Sequence, residues 1–81
     1  MDNLTYYKEL KQKRANTIIM FRAGDYYISY ENDANNIAIF LGKESTENNG
    51  VRMAIINNKE LDILLPRVIR NGFKATIVER Y

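Results

Sequence analysis

The 81-residue chain contains neither cysteine nor histidine. Without cysteine there is no disulfide, no thiolate metal ligand and no thiol nucleophile. Without histidine the usual general base and the commonest metal ligand are missing too. These two absences remove most mechanisms open to a small enzyme. Charge of one sign is also scarce: 12 Lys and Arg against 10 Asp and Glu leave a net +2. That is mildly basic and far from a nucleic-acid-binding tail, so charge alone does not point to DNA. No apolar run approaches the roughly 20 residues that span a bilayer. Asp2, Asn3 and Thr5 near the start lack the basic-then-apolar layout of a signal peptide. A soluble cytoplasmic chain without a membrane partner is the expectation.

What is present is enough for one small core. A chain of this size removes only about 60–65 % of its unfolded surface from water, so the core must be well filled. A hydrophobic content of 46 % with six tyrosines and three phenylalanines makes that feasible. The organising stretch is Thr17 to Tyr30. Ile18, Ile19, Met20 and Phe21 form a run short enough for a buried strand. Beyond Ala23-Gly24-Asp25, Tyr26, Ile28 and Tyr30 alternate with Tyr27 and Ser29, which places Tyr26 and Ile28 on one face of a second strand. Gly24 accepts the positive φ of a tight turn and Asp25 is a common companion. The stretch predicts a β-hairpin.

Around it the chain reads in order. Leu4, Tyr7 and Leu10 recur on one side of a helix over residues 3–15, which Asp2 or Asn3 can cap. A second helix covers residues 31–42. Glu31 and Asp33 lie in its first turn, Ala34, Ile37, Ala38 and Leu41 make a buried stripe, and Gly42 terminates it. Lys43 to Gly50 is polar throughout and predicts an exposed loop. Val51 to Ile56 predicts a strand. Asn57 and Glu60 form a capping-box pattern for a helix over residues 58–71, which the single proline, Pro66, should bend. Asn71-Gly72 closes it and residues 73–79 make a last strand. The expectation is an α/β fold in one small domain spanning residues 1–81. Its order is α-β-β-α-β-α-β, with a mixed sheet flanked by helices.

In that order the residues resemble the N-terminal mismatch-recognition domain, domain I, of the MutS family of DNA mismatch repair proteins. Tyr7 to Lys11 (YKELK) is similar to a Tyr-Leu-x-Leu-Lys first helix. Phe21-Arg22-Ala23-Gly24-Asp25-Tyr26-Tyr27 resembles the family's Phe/Tyr-Arg-Met-Gly-Asp-Phe-Tyr hairpin. Asp33-Ala34 is similar to the Asp-Ala that opens the next helix, and Arg52-Met53-Ala54 to Pro-Met-Ala. Asn71-Gly72 followed by Ala75 to Glu79 resembles Gln-Gly followed by Val-Ala-x-Cys-Glu. In the family, a Phe-x-Glu follows Gly-Asp; the Phe wedges beside a mismatch and the Glu hydrogen-bonds a base. The matching positions here are Tyr26 and Ile28, so an aromatic face is kept and the acceptor is lost. The Gly-Ile-Pro-x-His after Met-Ala is replaced by Ile55-Ile56-Asn57-Asn58-Lys59. Nothing resembles a P-loop, and 81 residues leave no room for the family's clamp and ATPase domains.

Two readings stand beside each candidate residue. Tyr26, with Tyr27 and Tyr30, is either a stacking platform for a nucleobase or part of an ordinary half-buried strand. Lys8, Lys11, Lys13, Arg14 and Arg22 either contact phosphates or populate a solvated face diluted by Glu9. Met53 either touches a groove, as the resemblance implies, or fills core. Asp25, Glu31 and Asp33 have turn and helix-dipole roles, and Lys59, Glu60 and Asp62 make a normal first turn. No catalytic constellation, metal site or cofactor is expected. The leading expectation is a non-enzymatic module that binds duplex or distorted DNA through hairpin and first helix, with Ile28 as a degraded reader position. The alternative is a protein-interaction module, pairing with a partner or with itself through a sheet edge or apolar surface. A third reading is a piece of a longer chain cut at Tyr81.

Overall fold

The computed structural model describes residues 2–79; Tyr81, where a cut piece would end, lies outside them. Eight elements follow one another: α1 (Asn3–Lys13), β1 (Thr17–Ala23), β2 (Tyr26–Tyr30), α2 (Glu31–Leu41), β3 (Thr46–Asn48), β4 (Val51–Asn57), α3 (Asn58–Arg70) and β5 (Lys74–Val78). The five strands form one mixed sheet in the order β3-β4-β2-β1-β5. β5 lies parallel to β1, and the other neighbours are antiparallel.

The apolar run of β1 is explained by a sheet covered on both faces. Ile18 and Met20 point toward α2 and α3, into a core shared with Tyr27, Ala34, Ile37, Ala54, Ile56, Leu61, Leu64 and Val68. Ile19 and Phe21 point the other way and pack with Tyr7 of α1 and Tyr30. Two helices cover the first face and one helix the second. The second face is therefore only partly closed: Ile28, Val51, Met53 and Val78 are half-buried there and Ile55 is exposed.

The helix ends follow from their caps. Asp2 Oδ1 accepts the Thr5 amide at 2.7 Å and starts α1. Asn57 and Glu60 close a full capping box on α3. Gly42 ends α2 in the left-handed region. α1 stops at Lys13, two residues earlier than its periodicity predicts, because Arg14 adopts φ −136°. α3 continues through Pro66 to Arg70.

One expectation is corrected. Residues 43–50 are exposed apart from the half-buried Ser45, but they contain strand β3, which makes the order α-β-β-α-β-β-α-β. Thr46, Glu47 and Asn48 pair with Met53, Arg52 and Val51 around Asn49-Gly50. Both turn residues have positive φ, 53° and 79°, as a type I′ hairpin requires. An edge strand that is wet on both faces shows no apolar alternation, so periodicity could not find it.

Candidate nucleic-acid interface

The hairpin forms as its turn residues dictate. Ala23 pairs with Tyr26 across Gly24-Asp25, and Gly24 carries a φ of 61°. From this register every second residue of β2 shares a face. Tyr26, Ile28 and Tyr30 lie on the α1 side, and Tyr27 and Ser29 on the α2/α3 side. Tyr30 is buried, with ring centroids 5.8 Å from both Tyr7 and Phe21. Tyr27 is buried as well, and its hydroxyl meets Asn58 Oδ1 at 2.9 Å. Tyr26 alone of the three is open, at 52 % exposure, because α1 does not reach the end of the sheet where it sits. Next to it in the sheet, Ile28 is half-buried and Ile55, its cross-strand partner, is 47 % exposed.

The predicted cations do not gather around this tyrosine. Arg22 projects from the opposite face, opposite Tyr27, whose ring lies 5.0 Å from the guanidinium carbon. Its Nε donates to Glu79 at 2.7 Å, and that bond holds the guanidinium pKa above its ordinary value. Lys11 is used inside the molecule. Its ammonium donates to the carbonyls of Ala15 and Thr17 and to Asp33 Oδ1, at 3.1, 2.7 and 3.0 Å, which exhausts its three donors. Asp33 is 1 % exposed and accepts the Ile19 amide on its other oxygen at 3.1 Å. Lys11 and Asp33 thus tie α1, β1 and α2 together, and Lys11 has nothing left for a phosphate. Lys8 lines a shallow groove of about 310 Å³ between α1 and the start of α2, with Glu31 on its wall.

Lys13 and Arg14 are exposed, but at the far pole of the sheet. They precede Thr17 at the start of β1, whereas Tyr26 faces Ala23 at its end. Six residue steps of about 3.3 Å separate the two levels, roughly 20 Å. Hairpin and first helix thus present separate points of contact, an aromatic tip at one pole of the sheet and the basic end of α1 at the other. Met53 is half-buried beside Tyr30 in the α1-side cluster, where it packs rather than projects.

Two cations outside the predicted contact set, one of them Lys59 of the first turn of α3, belong in this picture. Lys59 is exposed at the aromatic pole, two residues beyond Asn57, which pairs with Tyr26. Lys74 is exposed at the opposite pole, where it pairs in register with Thr17. The spacing of neither gives it away; the sheet register places both. Among the described residues no cluster of acidic side chains is arranged to hold a metal ion, and no helix is long and apolar enough to cross a membrane.

The sequence profile described as MutS domain I matches residues 3–81. The DNA mismatch repair protein MutS of Salinibacter ruber is 40 % identical over 80 residues, covering 93 % of this chain and 9 % of the relative. That of Methanosarcina barkeri is 39 % identical over 80 residues, covering 91 % and 9 %. That of Chlamydia pneumoniae is 29 % identical over 73 residues, covering 90 % and 9 %. The chain thus spans 9 % of the length of these curated relatives.

Proposed function

The chain belongs to the MutS domain I family, and from that premise we propose that it binds duplex or distorted DNA weakly through the half-open sheet face around Tyr26. The module acts by binding and catalyses nothing. The observation that carries this reading is the 52 % exposure of Tyr26 at the hairpin position where the family resemblance places an aromatic wedge. A stacked aromatic contributes about 1–3 kcal/mol per base. The tip carries limited charge: Lys59 is exposed at this pole, but Asp25 adjoins Tyr26 and Arg22 is held by Glu79. Weak binding follows from that balance. Ile28 offers no acceptor, so preference for a mismatch comes from how easily the step unstacks and not from a hydrogen bond to a base.

Titration of labelled matched, mismatched and single-stranded DNA at low salt tests the proposal. Tyr26→Ala should weaken binding about 5- to 150-fold, the equivalent of one lost stack, while Tyr26→Phe retains it. No binding to any of the three, or equal binding by Tyr26→Ala, ends the idea.

One observation favours a second reading. Tyr26, Ile28 and Ile55 form an apolar strip on the same open face, which suits a protein partner as well as a nucleobase. The outer edges of β3 and β5 offer strand pairing too. A concentration-dependent dimer in sedimentation, with no DNA affinity, would select that reading.

A further inference from the structure

The far pole of the sheet carries a basic groove for which the aromatic tip has no use. It is about 530 Å³ in volume and is lined by Lys13, Arg14, Asn16, Thr17, Lys74 and Thr76, with two alanines and no acidic residue. Lys13, Arg14 and Lys74 are all exposed, and the ion pairs among the described residues engage none of them. The helix dipole accounts for cations at the end of α1, where the last carbonyls carry partial negative charge. It does not account for Lys74, which opens a strand from a distant part of the chain.

The groove is also held in shape before anything binds. Lys11 donates to the carbonyls of Ala15 and Thr17, which fixes the α1–β1 connection from within. Asn16 Nδ2 donates to the Gly72 carbonyl at 3.0 Å, and the Lys74 amide donates to the Asn16 carbonyl at 3.0 Å. One side-chain-to-backbone bond and one backbone bond therefore stitch the walls of the groove together, and Lys13, Arg14 and Lys74 line it on a fixed main chain.

We propose that this groove holds the sugar–phosphate backbone of the same DNA whose bases meet Tyr26. Lys13, Arg14 and Lys74 each neutralise a phosphate there, and Asn16 and Thr76 supply polar walls. The inference rests on the DNA-binding reading above and divides the work within it. The aromatic pole senses the base stack, and the basic pole supplies the electrostatic affinity that the tip lacks. Poles roughly 20 Å apart meet one strand at phosphates about six steps apart, given 3.4 Å of helix axis per charge on each strand.

The test is the salt dependence of binding to a duplex of about 20 base pairs. It compares the unaltered chain, Tyr26→Ala, and the triple variant Lys13→Gln, Arg14→Gln and Lys74→Gln. Each phosphate contact contributes about 0.9 to the slope of log K against log salt. The triple variant should lose two to three units of slope yet keep the ratio of mismatched to matched affinity. Tyr26→Ala should weaken binding with its slope intact. All three groove side chains are exposed and form no ion pair with another described residue, so the thermal midpoint should be unmoved. A slope loss below two units in the triple variant overturns the groove while leaving the tip in place. No DNA binding by the unaltered chain overturns both.

Discussion

Lys11→Met should cost this domain more than any surface substitution on α1. The ammonium is the counter-charge of a carboxylate that is 1 % exposed, and it also holds the Ala15 and Thr17 carbonyls. Methionine keeps the length and apolar stem of the side chain but removes all three donors. Asp33 then keeps the Ile19 amide and the neighbouring Tyr7 hydroxyl but loses its counter-charge. Removing one member of a buried pair costs about 3–5 kcal/mol, because the remaining charge is left uncompensated. An 81-residue domain has only about 4–12 kcal/mol in total, so the variant sits near its unfolding limit. Urea titrations followed by circular dichroism at low temperature measure the loss. Adding Asp33→Asn removes the stranded charge and leaves an oxygen for the Ile19 amide. The double variant should therefore recover at least about 1 kcal/mol over Lys11→Met alone. A cost below about 1 kcal/mol for Lys11→Met, or strictly additive losses in the double variant, would show that the pair does not act as a unit.

Other consequences are checked by similar means. Pro66→Ala restores the amide that α3 lacks opposite the Asp62 carbonyl, and Pro66 is exposed; the domain should gain about 1–3 kcal/mol, visible as a higher thermal midpoint. The Lys43 hydrogen bond holds the Glu60 carboxyl below its ordinary 4.5. Its contribution is complete above that value and lost as pH falls through the lower folded value, so Glu60→Gln should remove about 0.2–1 kcal/mol at pH 7 and flatten the acid limb of the urea midpoint. Burial and the nearby Asp33 carboxylate push the Tyr7 hydroxyl above its ordinary 10.0. The folded state favours the protonated phenol, so that stabilisation is present below pH 10 and fades above it; Tyr7→Phe should move alkaline unfolding to higher pH.

The order of helices and strands could be read because each long element has an apolar face or a cap that acts locally. Ile18 to Phe21 is a run that only a strand covered on two faces needs, and Asn57 with Glu60 is a cap visible as a spacing. The missed strand β3 had a local signal of a different kind. Asn49-Gly50 is the residue pair that a type I′ turn prefers, and it lies inside a stretch that is otherwise uniformly polar. The fate of the charged residues was not legible. Lys11 and Lys13 differ by two positions on one helix, yet one ammonium is tied to a buried carboxylate and the other meets solvent. Asp33 determines that difference, and it arrives from another helix, 22 residues along the chain. Helical periodicity reports which side faces inward; it does not report what a neighbouring element places there.

That distinction explains why the candidate surface divides in two. A single helix over five strands leaves one end of its face open, and the β1–β2 turn lies at that end. Closing the opening with a longer α1 would bury Tyr26, so exposure of the ring depends on the helix being short. The same short helix must end near the start of β1, which places Lys13 and Arg14 beside the first residue of the parallel strand β5. Lys74 therefore meets them through the sheet register and not through any local motif. An aromatic pole and a basic pole are both consequences of one antiparallel helix that covers part of one face.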